Sequence, residues 1–226
     1  MNLFDRQIYH YISLTLLVFG VYAMADDAAL TGQLMRISTA TWMWLSIAVP
    51  ILHQVYVWFF WRTQLKNSLI TRTLGENGFN IYAVGFTVLF ALRLVSILIL
   101  SISNRDSIAL NAGFSYAVSC FFLALSAYVF YSVRTYFGFK RAYGIDHFDK
   151  SYRQRPFVRE GIFRLSDNAM YTFGFLILWV PGLIFCSKAA LLAACFNHIY
   201  IWVHYYTTEL SDIRFIYSGS ASWKRS

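Results

Sequence analysis

The run FNIYAVGFTVLFALRLVSILILSI, residues 79–102, carries a single charged side chain, Arg93. An apolar stretch of that length reads as a membrane-crossing helix, since ~20 residues are enough to span a hydrocarbon core of ~30 Å. On either side of it Ile8–Met24, Ala40–Trp61, Ile108–Phe137, Met170–Cys186 and Ala189–Tyr206 have the same character. The chain therefore reads as all-α, a polytopic membrane protein of about six transmembrane helices. The first and fifth are short, the fourth is long enough to protrude or tilt, and Pro50 should kink the second. Few residues separate Cys186 from Ala189, and Pro181-Gly182 loosens the end of the fifth run. The last two helices should accordingly form an antiparallel hairpin, expected at one end of the fold.

Composition agrees. The chain is 58% hydrophobic and 13% charged, against about 25% charged in an ordinary soluble domain. Its 226 residues leave little beyond the spans, so 1–226 reads as one membrane domain, with 1–107 of unassigned role preceding a core over 108–226. Arg6, Arg62, Lys66, Arg72, the basic residues from Arg134 to Arg164, Arg214, Lys224 and Arg225 fall on one side of the six-helix map, with Arg36, Arg105 and Lys188 on the other. The positive-inside rule then places both termini and the 153–171 connector in the cytoplasm. A basic fringe beside anionic lipid accounts for the net charge of +8, so no nucleic-acid partner is implied. Cys120, Cys186 and Cys195 lack metal-ligand spacing and read as small apolar fillers, with no metal site. The first run has no small-residue cleavage pattern and reads as a retained helix rather than a removed signal peptide.

Three places concentrate polar chemistry. The connector carries Lys140, Arg141, Lys150, Arg153, Arg155, Arg159 and Arg164 mixed with Asp146, Asp149 and Glu160. It ends in Ser166 and Asp167, candidate caps for the fifth helix, whose first backbone N–H groups would offer an anion site. Beyond the hairpin, His198, Trp202, Tyr205 and Glu209 fall at spacings of four, three and four and share a helix face if the sixth helix continues. Finally, Arg93 and His53 lie inside apolar runs, where an ionisable group needs a partner, a cavity or water. His10 and His147 read as ordinary interfacial histidines.

With Gly161-Ile-Phe-Arg, Asp167-Asn168-Ala169-Met170-Tyr171, Gly174, a Trp-containing hairpin and Glu209 in place, the region from Thr135 to Tyr217 resembles the membrane methyltransferases that include phosphatidylethanolamine N-methyltransferases and isoprenylcysteine carboxyl methyltransferases. In that superfamily an Arg-His-Pro-x-Tyr-x-Gly or Asn-Pro-x-Tyr-x-Gly element and a later Glu-Glu pair enclose S-adenosylmethionine. Here Ala169 replaces the proline, two residues separate Tyr171 from Gly174, and the acid pair reads Thr208-Glu209. Glu209 is the second acid if Thr208 replaces the first, and otherwise it is the first. Thr135-Tyr-Phe-Gly138 is similar to the phospholipid branch.

The resemblance implies an S-adenosylmethionine-dependent enzyme that methylates a phospholipid headgroup amine of the phosphatidylethanolamine type. It implies cofactor contacts from Gly138, Asn168, Ala169, Tyr171, Gly174, His198, Trp202, Tyr205 and Glu209, and catalytic roles for Glu209, His204 and Tyr171. Arg153, Arg155 and Arg159 would hold the phosphate of the membrane phospholipid, whose acyl chains stay in the bilayer. The alternatives are an isoprenylcysteine carboxyl methyltransferase, an NADPH-dependent membrane reductase of related fold, or a non-catalytic membrane protein.

Overall fold

The computed structural model describes residues 2–218; Lys224 and Arg225, which belong to the basic fringe, lie outside the described residues. Among the described residues seven helices carry the fold: α1 Gln7–Met24, α2 Thr39–Asn67, α3 Gly78–Ser103, α4 Ala112–Ser132, α5 Ala169–Ile184, α6 Lys188–His204 and α7 Leu210–Tyr217. A small ribbon, β1 Gln33–Leu34 antiparallel to β2 Ile37–Ser38, joins α1 to α2. The helical, polytopic reading stands. Four segments, containing α1, α2, α3 and α4, are long and apolar enough to cross a membrane. The count of about six is not established, because α5 is shorter and irregular, a four-residue α-turn followed by a 3-10 stretch and a further α-turn, and α6 has 17 residues.

The α5–α6 hairpin forms as expected, but it does not sit at one end. α6 packs against α1, α2, α3 and α5 and forms the middle of the bundle. Its sequence explains this: Ala189, Ala190, Ala193 and Ala194 are fully buried, and a stripe of methyl side chains lets neighbouring helix axes approach closely. Met43 and Ile47 of α2, Ile97 and Leu100 of α3, and Phe175 and Leu178 of α5 close around that stripe. Pro50 lies within α2. Having no N–H, it leaves the Ser46 carbonyl without its helical donor, and Nδ2 of Asn197 on α6 donates to that carbonyl at 3.5 Å.

At one end of the bundle a buried Asn104 ties three connections together. Its Nδ2 donates to the carbonyls of Ala28 and Thr31, and its Oδ1 accepts from Ser107 Oγ, Ser187 Oγ and Ala189 N–H. Lys188 pairs with Asp26 at the same end. The opposite end holds the chain start, the close of α2, the 138–168 connector and α7.

Candidate active site

Two widened helical turns shape that second end. α4 finishes in a π-turn, Val133–Phe137, which stops at Gly138 with φ +88°. α6 enters another, Tyr205–Glu209, and resumes as α7. A π-turn inserts an extra residue into the helical repeat and re-aims the side chains beyond it, which is why such turns recur at functional sites. In the second one Glu209 faces the start of α5, where its carboxylate accepts the Tyr171 hydroxyl.

Aromatic rings surround this pair. Tyr171 meets Trp202 at 6.1 Å and Tyr205 at 6.0 Å, both edge-on, and Trp202 and Tyr205 lie 5.7 Å apart. The Asn168 side chain reaches Tyr205. Glu209 lies beyond the apolar run of α6, half-buried at its surface. Burial pushes its carboxyl up to about 7, with the Tyr171 hydrogen bond acting in the opposite sense. Ala169 is fully buried in an apolar cluster with Val129, Val133, Ile162 and Phe163. Gly174 brings α5 against α4: a Cβ there would stand 3.3 Å from Val129 Cγ1.

The sequence-derived set divides in space. Asn168, Tyr171, Trp202, Tyr205 and Glu209 come together. His198 lies further along α6, its Nδ1 accepting Trp179 Nε1 at 3.1 Å. His204 occupies another face of α6, 6.4 Å from the His10 ring and 6.0 Å from Trp61, with no partner on either ring nitrogen. Of the three connector arginines, Arg155 is exposed and stacks on Tyr152 at 3.9 Å, Arg159 is exposed, and Arg153 donates from Nε to the Asp146 carbonyl at 2.9 Å.

The anion site expected at the start of α5 is not formed. Its first α-turn spans only Ala169–Thr172, and the N–H groups of Asn168 and Ala169 are already taken by Ser166 Oγ and the Ser166 carbonyl. Ser166 thus caps a turn before the helix rather than the helix itself.

The ion pairs that hold the site in place escaped the sequence reading, although Asp212 stood in the polar group beyond the hairpin. Arg62 of α2 and Asp212 of α7 form a fully buried ion pair, Nε to Oδ1 at 2.6 Å. Arg62 Nη2 also donates to the Thr208 carbonyl at 3.2 Å and to Ser211 Oγ at 2.9 Å, and Nη1 donates to the Asn2 carbonyl at 3.1 Å. His147 is not an ordinary interfacial residue. It is buried, stacks on Trp61 at 4.1 Å, and stands 3.2 Å from Asp146 and 3.6 Å from Asp212. Burial alone would lower its pKa, but those two carboxylates outweigh it and raise the value to about 9. Tyr217 of α7 donates to Asp146 at 3.0 Å. His10 is buried too, bonded to Tyr200 and Thr207. Thr208 is fully buried and accepts from Gln7 Nε2 at 3.2 Å, so of Thr208-Glu209 only the glutamate is presented to the aromatic cluster. The usable signal was Asp212, an acid one turn beyond Glu209 just where a long helix leaves an apolar run.

Residues 114–219 match the phospholipid methyltransferase family. The matched span begins in α4 and takes in both π-turns, Tyr171 and Glu209, leaving α1, α2 and α3 outside it. The membrane methyltransferase superfamily read from the 161–174 motif is thereby supported from a second direction. At family level this likeness supports a membrane phospholipid methyltransferase, and the apolar helices make the protein an integral membrane protein. No curated protein and no solved structure matches the chain.

Proposed function

We propose that the methyltransferase domain uses S-adenosylmethionine to methylate the headgroup amine of a phospholipid of the phosphatidylethanolamine type. The observation that carries the reading is the Tyr171–Glu209 pair inside a ring of aromatic side chains, within the family-matched span. The donor set suits the cofactor's chemistry: a carboxylate for an α-ammonium, an amide for a carboxylate, and aromatic faces for a sulfonium. When bound, S-adenosylmethionine supplies an activated methyl group on a positively charged sulfur.

Binding, orientation and proton handling fall to the chain's own residues. Glu209 pairs with the ammonium, and Tyr171 fixes the rotamer of that carboxylate. Asn168 offers its amide N–H groups. Trp202 and Tyr205 flank positive charge by cation–π attraction, worth ~1–2 kcal/mol where water is excluded. His198, Ala169, Gly174 and Gly138 complete the walls. Methyl transfer is an in-line displacement, so alignment in a dry site contributes most of the rate. His204, with both ring nitrogens unpartnered, takes the proton released by the acceptor amine across the cavity that it lines together with Tyr171. Arg153, Arg155 and Arg159 hold the lipid phosphate. The basic fringe puts both termini and this site on the cytoplasmic side.

The test is a pair of measurements on the purified protein. Calorimetry should show S-adenosylmethionine binding, and lipid mass spectrometry should show methylated phosphatidylethanolamine. Methylation of a prenylcysteine analogue but not of the phospholipid would move the protein to the other branch. Binding of NADPH and not of S-adenosylmethionine would remove the methyltransferase reading.

A further inference from the structure

A cavity of about 310 Å³ lies among α2, α3, α4, α5 and α6, within the apolar part of the bundle. Its walls are mostly aromatic and aliphatic, with three deeply buried polar groups contributed by the helices outside the family match: Gln54 and His53 of α2, and Arg93 of α3, the last two each 2% exposed. Arg93 donates from Nη2 to the Pro50 carbonyl at 3.1 Å and stands 5.8 Å from the Phe175 ring. Its Nε has no partner. His53 touches the Phe86 ring edge at a centroid distance of 4.5 Å, and neither of its ring nitrogens is bonded.

No aspartate or glutamate lines the cavity, and among the described residues Arg93 forms no ion pair. A guanidinium taken out of water costs several kcal/mol unless a counter-charge meets it. The protein supplies none here, so the complement is expected from a ligand. The remaining guanidinium N–H groups form a fork that matches a planar oxyanion.

The walls set the rest of the ligand. α3 and α4 make no extensive contact with each other, and Thr87 of α3 and Phe130 of α4, both exposed, rim the cavity. It therefore opens sideways onto the lipid-facing surface. Its volume is at the low end of the ~300–1,000 Å³ typical of small-molecule pockets, which suits one chain and not the two of a diacyl lipid. We propose that this cavity is a binding site for a single-chain lipophilic carboxylate, which enters between α3 and α4 and sets its oxyanion on Arg93 and His53. Tyr171 and His204 border the same space, but the binding claim involves no turnover and is tested without S-adenosylmethionine.

The experiment uses the full chain in phosphatidylcholine nanodiscs with radiolabelled hexadecanoate. The expected result is one saturable site, with hexadecanoate binding at least tenfold more tightly than hexadecanol and no competition from hexadecyltrimethylammonium. Arg93→Gln should weaken binding tenfold or more, and Arg93→Lys should retain part of it. Since Arg93→Gln alters a buried group, Thr87→Trp on the exposed rim serves as the second variant: it should obstruct entry and weaken binding while leaving the unfolding temperature unchanged. Absence of saturable binding in the wild type, equal binding of the alcohol, or full binding in both Arg93→Gln and Thr87→Trp would overturn the proposal.

Discussion

Glu209 combines two properties that belong to a working carboxylate: an environment that raises its pKa to about 7 and a tyrosine that fixes its direction. A cationic ligand selects the ionised form, so S-adenosylmethionine affinity should fall as pH drops below about 7, approaching tenfold per unit in the acid limit. Calorimetry between pH 5.5 and 8 checks this, and Glu209→Gln should flatten the profile. Glu209→Ala should lose tenfold or more of the affinity, because a half-buried ammonium would be left without its counter-charge. Equal binding by wild type and Glu209→Ala would remove Glu209 from the site. Arg62 sits in a different position, fully buried and ion-paired. Arg62→Ala leaves buried Asp212 with only His147, 3.6 Å away, as counter-charge and should destabilise the fold by ~3 kcal/mol, read from denaturant unfolding in micelles. The double variant Arg62→Met with Asp212→Leu should recover much of that loss, since both partners go together and His147 keeps Asp146.

Among the elements, the π-turn over Tyr205–Glu209 matters most. Inserting one alanine ahead of it, after Val203, should rotate everything downstream by ~100° relative to the start of α6. Glu209 would then leave Tyr171, and Asp212 would leave Arg62, so both cofactor binding and stability should drop. If the insertion variant binds S-adenosylmethionine normally, the direction in which the turn presents the glutamate does not matter. The apolar runs were legible in the sequence because a membrane helix needs nothing beyond ~20 apolar residues, and α1 to α4 lie close to where those runs were placed. That Tyr171 and Glu209 share one membrane side was legible from the short hairpin between the last two runs, and the motif added their common site. The π-turns were not, because an inserted residue in a helix leaves no local compositional mark. The pairing of Arg62 and His147 with Asp212 was not either: Asp212 stood in the polar group beyond the hairpin, but Arg62 and His147 look like ordinary charges at a span end until tertiary packing brings them together. The central place of α6 was misjudged because a short loop fixes adjacency to α5 but says nothing about what covers the other faces.

For the whole molecule, the basic residues cluster at the end that carries Glu209, so a reporter placed after Ser226 should be accessible from the cytoplasm. Accessibility only from the outside would reverse the orientation. Arg155 and Arg159 are exposed on the same side. Arg155→Gln and Arg159→Gln should each raise the KM for phospholipid several-fold, with unchanged S-adenosylmethionine binding and unchanged orientation. A change in cofactor affinity instead would place these arginines nearer the aromatic cluster than the lipid. The Arg62–Asp212 pair has a consequence for how the chain divides. Near its end the family-matched span carries Asp212, whose arginine partner resides on α2, and its Thr208 is capped by Gln7 of α1. Cut back to 114–219, that span would keep His147 beside Asp212 but lose the arginine of the pair and carry an unsealed helix seam. The first three helices are thus less an anchor than a resident subunit, joined to the family-matched span by the chain so that it never has to search for its partner.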